Sequence, residues 1–141
     1  MKIVKFIKLK PTSTPNYQTT DASGVDLHSA ERTIIKRGVF QLVGTGIAIE
    51  MPKGMEAQVR PRSGLAAKCG IGILNSPGTI DADYRGEIKV ILFNFSNKPF
   101  KINIGDRIAQ LVFSKVTRVV LKEHKQLSKT KRGSGGFGHT G

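Results

Sequence analysis

Two acidic residues in the segment Asp81-Ala82-Asp83-Tyr84-Arg85-Gly86 have the spacing of a catalytic or cation-binding pair. On an extended chain, residues two positions apart point to the same face of the backbone, so both carboxylates would lie on one side. Such a pair could hold a metal ion, or one carboxylate could act as a general base on a water molecule. The alternative is a polar turn in which Asp83 pairs with Arg85.

The segment Pro61-Arg62-Ser63-Gly64 has the composition of an anion site. It follows a predicted strand and opens a predicted short helix, so a guanidinium, a hydroxyl and free backbone amides would converge there. The alternative is that Ser63 only caps the helix and Arg62 is only solvated. Gln110 stands among apolar residues in a predicted strand, and a buried amide of this kind must find a partner in the core or on a ligand.

The glycine spacing Gly133-x-Gly135-x-x-Gly138 matches a dinucleotide-binding pattern. That pattern needs a strand before it, a helix after it and a further acidic residue, none of which the surrounding sequence supplies, so we reject it. Two interpretations remain. The segment is either a disordered glycine tail or a mobile flap over phosphates, in which Arg132 supplies charge and Phe137 a stacking surface.

Metal clusters, disulfides and membrane spans have little support in the sequence. The single cysteine, Cys69, excludes an intramolecular disulfide and is typical of a reducing compartment, so we expect a cytoplasmic protein. The three histidines are scattered and do not suggest a zinc cluster. No apolar run approaches the ~18–20 residues of a spanning helix, and the lysine-interrupted start does not resemble a secretory signal.

Short β-branched and aromatic runs, separated by Gly, Pro, Asn and Ser, would position these side chains. This pattern predicts an all-β, jelly-roll-like barrel or sandwich. Ser63–Cys69 is the predicted helix, with Ser63 as a candidate N-cap and Gly70 as its stop. The predicted strands are Ile3–Leu9, Val25–Ser29, Val39–Val43, Thr45–Met51, Glu56–Arg60, Glu87–Phe95, Lys101–Ile104 and Arg107–Lys115.

The chain has 141 residues, a length typical of one domain. Its formal net charge is +13. We predict a β core over residues 1–121 and a basic, glycine-rich arm over 122–141. Residues 122–132, fully extended, would reach about 33–36 Å, whereas a compact domain of this length has a radius of gyration of ~14 Å. The arm can therefore lie across a neighbouring molecule. The almost continuously apolar run Ile88–Phe95 predicts a strand covered on both faces, as at a subunit interface.

Five segments, taken together and in order, resemble the five motifs of the homotrimeric dUTPases (deoxyuridine 5′-triphosphate nucleotidohydrolases). They span nearly the whole chain, and the departures are mild, such as His139 where Ser is common. The segments are Ala22–Leu27, Pro61–Ala66, Gly78–Gly86, Gly105–Leu111 and Arg132–Gly141.

The resemblance implies a jelly-roll-like trimer in which each site takes parts from three chains. The implied reaction is the Mg²⁺-dependent hydrolysis of dUTP to dUMP and pyrophosphate. It would limit uracil incorporation into DNA and supply dUMP for thymidylate synthesis.

The resemblance also assigns the nucleoside-binding roles. Asp81 matches the general base that deprotonates the water attacking the α-phosphorus, and Tyr84 matches the aromatic residue that packs under the deoxyribose and excludes a 2′-hydroxyl. The uracil edge would be recognised by Asn75 and the backbone of Gly78-Thr79-Ile80. Lys89 would line the same pocket.

The phosphate-binding roles fall on Arg62, Ser63, Gly64 and Gln110. In the arm, Arg132 would neutralise the γ-phosphate, Phe137 would stack on the uracil, and Gly138 would belong to the closing flap. Mg²⁺ would be held by the phosphates and water with no direct protein ligand, and Asp26 would act through water or a phosphate-binding side chain.

Two other classes of function remain open at this stage. A nucleotide deaminase of the same fold would need a glutamate at the pyrimidine amine, and Asp81–Gly86 fits hydrolysis better. A non-catalytic nucleic-acid-binding trimer is favoured only by the charge of +13. Lys-rich chain ends usually serve solubility, and the sequence has no nucleic-acid-binding motif. We therefore expect nucleic-acid binding to be at most weak and non-specific.

Overall fold

The computed structural model describes residues 2–138, and within them the chain forms strands and one short helix. The helix, α1, is Ser63–Cys69. The strands in chain order are β1 Lys5–Lys8, β2 Val25–His28, β3 Thr33–Ile35, β4 Phe40–Gly44, β5 Ile47–Glu50, β6 Met55–Arg60, β7 Ile71–Ile73, β8 Gly78–Ile80, β9 Lys89–Asn94, β10 Phe100–Ile102 and β11 Arg107–Lys115.

Two sheets and two ribbons, all antiparallel, enclose the core. The larger sheet has four strands in the order β2-β11-β6-β8, and the smaller has three in the order β4-β9-β7. The ribbons are β1-β5 and β3-β10. Each of these units supplies residues to one apolar cluster, including Leu27, Ile35, Ile47 and Val90. The predicted all-β, jelly-roll-like fold is confirmed.

An irregularity in strand β11 decides which side chains face the site. Its pairing with β2 shifts register between Arg107 and Ala109, as at a β-bulge. Ile108 and Ala109 are consequently both buried, although they are neighbours along the strand. Alternation resumes beyond them and turns Gln110 to the outer face, opposite Asp26 on one side and Arg60 on the other.

The predicted elements agree well in place and less well at their ends. β11 and α1 have the predicted bounds, and Gly70 ends the helix in the left-handed region at φ 64°. Ser63 is not the N-cap, because Arg62 occupies that position and makes no side-chain capping bond. Strands β3, β7 and β8 were missed because each has only three residues, and the last two each include a glycine.

Strand β9 is covered on one face only within a single chain. Val90, Leu92 and Asn94 are buried, whereas Ile91 and Phe93 on the opposite face are half-buried. Their neighbours on that face are largely exposed, Phe40 at 55%, Leu42 at 52% and Phe95 at 68%. We call this surface the outer apolar patch, and its members are Phe40, Leu42, Leu74, Ile91, Phe93 and Phe95.

No helix within residues 2–138 is long and apolar enough to cross a membrane.

Candidate active site

Asp26 holds two arginines at the outer face of the larger sheet. One carboxylate oxygen, Oδ1, lies 3.3 Å from Nε of Arg62, and the other, Oδ2, lies 3.2 Å from Nη1 of Arg107. Asp26 is buried, with 7% of its surface exposed, so these are charge-assisted contacts at low solvent exposure. Arg62 also donates a long hydrogen bond of 3.4 Å to the carbonyl of Arg107. The arrangement fixes two guanidinium groups side by side.

Gln110 belongs to the same cluster, and its hydrogen-bond partner is a backbone carbonyl of the protein. Its Nε2 donates to the carbonyl of Pro61 at 2.9 Å. Its Oε1 lies over Gly24, where a Cβ would overlap that oxygen and also come within 3.2 Å of Cβ of Gln110. Gly24 is therefore required for Gln110 to adopt this position. The amide group stands half-buried beside the two arginines.

The start of helix α1 adds free backbone donors next to Arg62. The first hydrogen bond of the helix runs from the amide of Ala66 to the carbonyl of Arg62, at 3.0 Å. The amides of Ser63 and Gly64 precede it and have no helical acceptor. Both residues are exposed. The predicted phosphate-binding residues Arg62, Ser63, Gly64 and Gln110 are thus brought together on one surface.

His28 borders this cluster and responds to its charges. Partial burial lowers the pKa of His28, Asp26 opposes that effect, and Arg107 and Arg62 lower the pKa further. The Nδ1 atom of His28 is buried and has no hydrogen-bond partner among the described residues. The ring is consequently held in its neutral form beside two fixed guanidinium groups.

The hairpin between β7 and β8 carries the predicted uracil-recognition residues. Asn75 lies over the buried Gly78, where a Cβ would be 3.3 Å from Nδ2 of Asn75 and 3.3 Å from Cβ of Val59. The Ser76–Pro77 peptide in this turn is cis. Thr79 is exposed and Ile80 half-buried, and β8 is anchored by pairing with β6. The close packing at Gly78 fixes Asn75 against the start of β8.

Tyr84 folds back over the turn that follows β8. Its hydroxyl donates to the carbonyl of Glu87 at 3.0 Å, and 44% of its surface is exposed. A Cβ on Gly86 would overlap the Tyr84 hydroxyl and lie 2.6 Å from Cζ of the ring. The glycine is thus needed for the ring to lie flat against the turn with one face open.

Asp81 and Asp83 line one cavity of about 540 Å³. They lie in a turn, closed by a hydrogen bond from the amide of Tyr84 to the carbonyl of Asp81 at 3.1 Å, and not on the extended chain that the spacing argument assumed. Lys53, Arg85 and Arg118 also border it, together with a third acid, Glu56, so three basic and three acidic side chains share the cavity. The alternative pairing of Asp83 with Arg85 is not found, because Arg85 donates to the carbonyls of Ala82 and Tyr84. Asp81 is exposed to solvent.

Asp81 and the phosphate-binding cluster of one chain lie at opposite ends of β6. Ile80 pairs with Ala57, which places Asp81 next to Glu56 at the start of that strand. Arg62 follows the other end. Six residues of extended chain between these positions span about 20 Å. The cavity of Asp81 accordingly contains none of Arg62, Ser63, Gly64 or Gln110.

The remaining predicted site residues are separate from both groups. Lys89 is exposed at the start of β9, opposite Gly44. Arg132 donates through Nε to the carbonyl of Gly135 at 2.7 Å, within its own arm. Phe137 is fully exposed with a positive φ of 50°, and Gly138 follows it. The last three residues of the fifth motif, His139, Thr140 and Gly141, lie outside the described residues.

Two glycines and one arginine of the site escaped the sequence-based assignment of roles. Gly24, Gly86 and Arg107 all stand in the motifs quoted above, so the positions were marked but their functions were not. Arg107 is joined to Asp26 only by the antiparallel pairing of β2 with β11. A register of this kind cannot be deduced from spacing along the chain.

A metal site built from protein side chains is not found in the described part of the chain. Between residues 2 and 138, no group of three or more His, Cys, Asp or Glu residues is placed to hold an ion. A second cavity, of about 420 Å³, is lined mainly by apolar side chains such as Phe6, Ile49 and Phe113. It contains none of the predicted site residues.

Comparison with known proteins identifies the fold first. The chain superposes on a point mutant of the Staphylococcus bacteriophage 80alpha dUTPase, bound to dUpNHpp, with a TM-score of 0.92 at 23% identity, covering 100% of this chain and 99% of that one. A mutant dUTPase of phage phi11 of S. aureus gives a TM-score of 0.84 at 21% identity, and the match covers 90% of this chain and 99% of that one. That structure was described for its coordination of a structural Mg(II) ion. The chain therefore has the all-β fold of these proteins.

Sequence comparison then gives the family. The dUTPase family model matches residues 10–141. The deoxyuridine 5′-triphosphate nucleotidohydrolase of Neorickettsia sennetsu is 55% identical, over 99% of this chain and 95% of its own length. The protein of the same name from Rickettsia bellii is 60% identical over 90% of this chain and 86% of its own length. The chain belongs to the dUTPase family.

Proposed function

We propose that this chain is a dUTP diphosphatase that hydrolyses dUTP to dUMP and pyrophosphate. The observation that carries the proposal is the cluster in which Asp26 fixes Arg62 and Arg107 beside Gln110 and the open start of helix α1. Guanidinium, amide and backbone N–H donors on one surface are suited to a polyphosphate. Family membership supplies the identity of the nucleotide.

Asp81 is the proposed general base. It accepts a proton from a water molecule as the water oxygen attacks the α-phosphorus. The bond between the α-phosphorus and the oxygen that bridges to the β-phosphorus then breaks, and pyrophosphate leaves with that oxygen. A positioned base of this kind contributes typically 10²–10⁴-fold to the rate. The exposure of Asp81 in a cavity that also contains three basic side chains supports this role.

Selection of the nucleoside is assigned to the hairpin and to Tyr84. Backbone groups around Gly78, together with the amide of Asn75, would match the donor and acceptor pattern of uracil and leave cytosine with unpaired groups. The Tyr84 ring, held against the turn by Gly86, would occupy the space of a ribose 2′-hydroxyl. Lys89 is proposed to border the same pocket.

Each active site is proposed to combine elements of different chains in a homotrimer. A base must lie within hydrogen-bond reach of its water, yet Asp81 and Arg62 of one chain are separated by about 20 Å along β6. A phosphate bound by the Arg62 cluster of one chain would therefore meet Asp81 of another. The outer apolar patch supports assembly, because contiguous exposed apolar surface is typical of protein interfaces.

The arm over residues 122–141 is proposed to close over a neighbouring chain's site. None of the hydrogen bonds or ion pairs found between residues 2 and 138 joins positions 122–138 to the core. Its apolar side chains lack cover, since Leu127 is 89% exposed and Phe137 is fully exposed. On closure, Arg132 would bind the γ-phosphate, and Phe137 with Gly138 would cover the uracil.

Mg²⁺ fits this site as an ion carried by the substrate. The carboxylate of Asp26 already faces two guanidinium groups, so it would act on a bound ion only through water. When bound, Mg²⁺ would neutralise charge on the triphosphate. Phosphate oxygens and water are ligands that this ion prefers. We place the activity in the cytoplasm because the single cysteine is typical of a reducing compartment.

Pyrophosphate release from a panel of nucleotides tests the proposal. We expect release from dUTP and at least tenfold lower kcat/KM for UTP, dCTP and dTTP. Asp81→Asn provides the matched control: it should bind dUTP but retain less than a tenth of the turnover. Ammonia release from dCTP would instead indicate a deaminase of this fold. Equal hydrolysis of all four nucleotides would also contradict the proposal.

A further inference from the structure

Ribbon β3-β10 carries a concentrated positive charge away from the proposed nucleotide site. Residues 32–37 and 98–103, which we call the basic ribbon, contain five cationic and no acidic residues. All five are exposed. They are Arg32, Lys36, Arg37, Lys98 and Lys101.

The pairing of the two strands places three of these charges on one surface. Lys101 pairs with Ile34, and the buried side chains of Ile35 and Ile102, one on each strand, define the inner face. By alternation, Arg32, Ile34 and Lys36 share the outer face with Lys101. Alternate residues of a strand are about 6.8 Å apart, so the cations form a regular row.

A buried amide holds the far end of the ribbon in place. Nδ2 of Asn94, which is 0% exposed, donates to the carbonyl of Ile35 at 3.0 Å and to that of Lys98 at 2.8 Å. One side chain therefore clamps the end of β3 to the turn before β10. Lys36, Arg37 and Lys98 emerge together from this clamped region, so their backbone positions are fixed.

The ribbon charges are not neutralised by the fold. None of the ion pairs found in the described part of the chain involves them. The nearest acid along the chain after β10 is Asp106, and its Oδ2 accepts the amide of Asn103 at 2.7 Å. The nearest acid before β3, Glu31, is half-buried with its carboxylate directed toward Gly44.

We propose that the basic ribbon binds the phosphodiester backbone of nucleic acid. Five unpaired cations on a stiff two-stranded ribbon are complementary to a polymer with regularly spaced negative charge. The outer face presents Ile34 but no aromatic side chain, so contacts go to phosphates and not to stacked bases. Binding is therefore independent of sequence, with a dissociation constant on the order of 10⁻⁴–10⁻⁶ M at physiological salt.

The surface fits nucleic acid better than a membrane. A peripheral membrane site combines cations with apolar side chains that enter the lipid, and the outer face of the ribbon offers Ile34 alone for that purpose. The row of cations along a strand instead matches a linear polyanion. This surface is distinct from the nucleotide site, since Lys36, Arg37 and Lys98 lie at the ribbon end opposite to Arg107.

Fluorescence anisotropy with a labelled 20-base-pair DNA duplex tests the proposal on the full chain. The ribbon variant combines Lys36→Gln, Arg37→Gln, Lys98→Gln and Lys101→Gln. The control combines Lys122→Gln, Lys125→Gln, Lys129→Gln and Lys131→Gln, which removes the same charge from the arm. The ribbon set includes no residue assigned to the nucleotide site, so hydrolysis of dUTP should be unchanged in the ribbon variant and verifies its folding. The arm variant lies in the segment proposed to close over that site, so its folding is verified by thermal unfolding instead.

We expect the ribbon variant to bind DNA at least about tenfold more weakly at 50 mM salt. The slope of log K against log salt should become shallower by about 3–4, because each phosphate contact contributes about 0.9. The arm variant should lose less than threefold. The double variant Lys98→Gln, Lys101→Gln should show half of the change in slope, which keeps the test available if the fourfold variant folds poorly.

Three results would overturn the proposal. Equal losses in the ribbon and arm variants would mean that binding follows net charge alone. Displacement of the DNA by a dUTP analogue with an imido group between the α- and β-phosphates would place the DNA in the nucleotide site. Ribbon-dependent binding to phosphatidylserine vesicles, with no binding of the wild-type chain to DNA at 50 mM salt, would identify a membrane surface instead.

Discussion

Asp26 organises the proposed phosphate-binding cluster because its two carboxylate oxygens face two different arginines. Without the buried carboxylate between them, the two guanidinium groups would repel each other and could not stand side by side. Gly24, two residues earlier, leaves the space that Gln110 fills. The first motif thus works by shaping the side chains of the second and fourth motifs.

Replacing Gly24 should disturb activity through Gln110. In Gly24→Ala, the added methyl would occupy the place of the Gln110 amide oxygen, so we expect kcat/KM for dUTP to fall about tenfold, equivalent to about 1.4 kcal/mol. Gln110→Ala should lose a similar amount. Because both changes remove the same group, the double variant should be no worse than Gln110→Ala alone. Additive losses in steady-state kinetics would show that Gly24 acts in another way.

Tyr84 should control sugar selection through its ring and not through its hydroxyl. Tyr84→Ala removes the surface under the deoxyribose, so the ratio of kcat/KM for dUTP to that for UTP should decrease by at least tenfold. Tyr84→Phe is the matched control: it loses only the hydrogen bond to Glu87 and should retain the ratio within about threefold. If both variants keep the wild-type ratio, the selection lies elsewhere.

His28 should make the fold less stable in acid. Its pKa in the folded chain is below the ordinary value, mainly through burial and in part through Arg107 and Arg62, with Asp26 acting in the opposite direction. The unfolded chain therefore binds the proton more readily, and the stabilisation present above pH ~6.5 is lost as the pH falls. Urea unfolding at pH 7.5 and 5.5 should show a smaller loss for His28→Asn than for the wild type. Parallel losses would exclude this contribution.

At the scale of elements, the bulge in β11 and the hairpin before β8 determine how the motifs meet. The motif positions of Asp81, Arg62 and Gln110 could be selected from the sequence because their residue types suit the chemistry. The contacts of Arg107 could not, since they depend on the β2–β11 register and on a one-residue shift within it. Strands β7 and β8 were likewise hidden, because three residues that include glycine carry no clear alternation.

The arm should be required for fast turnover but not for folding. Deleting residues 132–141 removes Arg132 and Phe137 but none of the core cluster, so the chain should remain folded and assembled. Ordering such a glycine-rich segment costs on the order of 1–2 kcal/mol per residue, which only a bound nucleotide can offset. We expect weaker dUTP binding and at least tenfold slower turnover, measured by pyrophosphate release. Unchanged kinetics would remove the arm from the mechanism.

At the scale of the molecule, a single chain is incomplete in two respects. Its Asp81 cavity contains no residue of the phosphate-binding cluster, and its outer apolar patch faces solvent. Both features are resolved if chains associate in a closed ring, so that each chain supplies a base to one neighbour's phosphates. The charge of +13 adds a positive field that favours a polyanionic substrate and requires enough apolar contact to offset repulsion between copies.

Subunit complementation tests this shared site most directly. Asp81→Asn chains and Arg62→Ala chains should each be nearly inactive while remaining trimeric by light scattering. After unfolding and refolding together in equal amounts, they should recover about a quarter of wild-type dUTP hydrolysis, because random assembly gives half of the sites a sound base and half of those a sound phosphate-binding cluster. Each variant refolded alone is the control. A mixture as inactive as its parents would show that one chain's own Asp81 and Arg62 serve the same nucleotide, and would contradict the shared site.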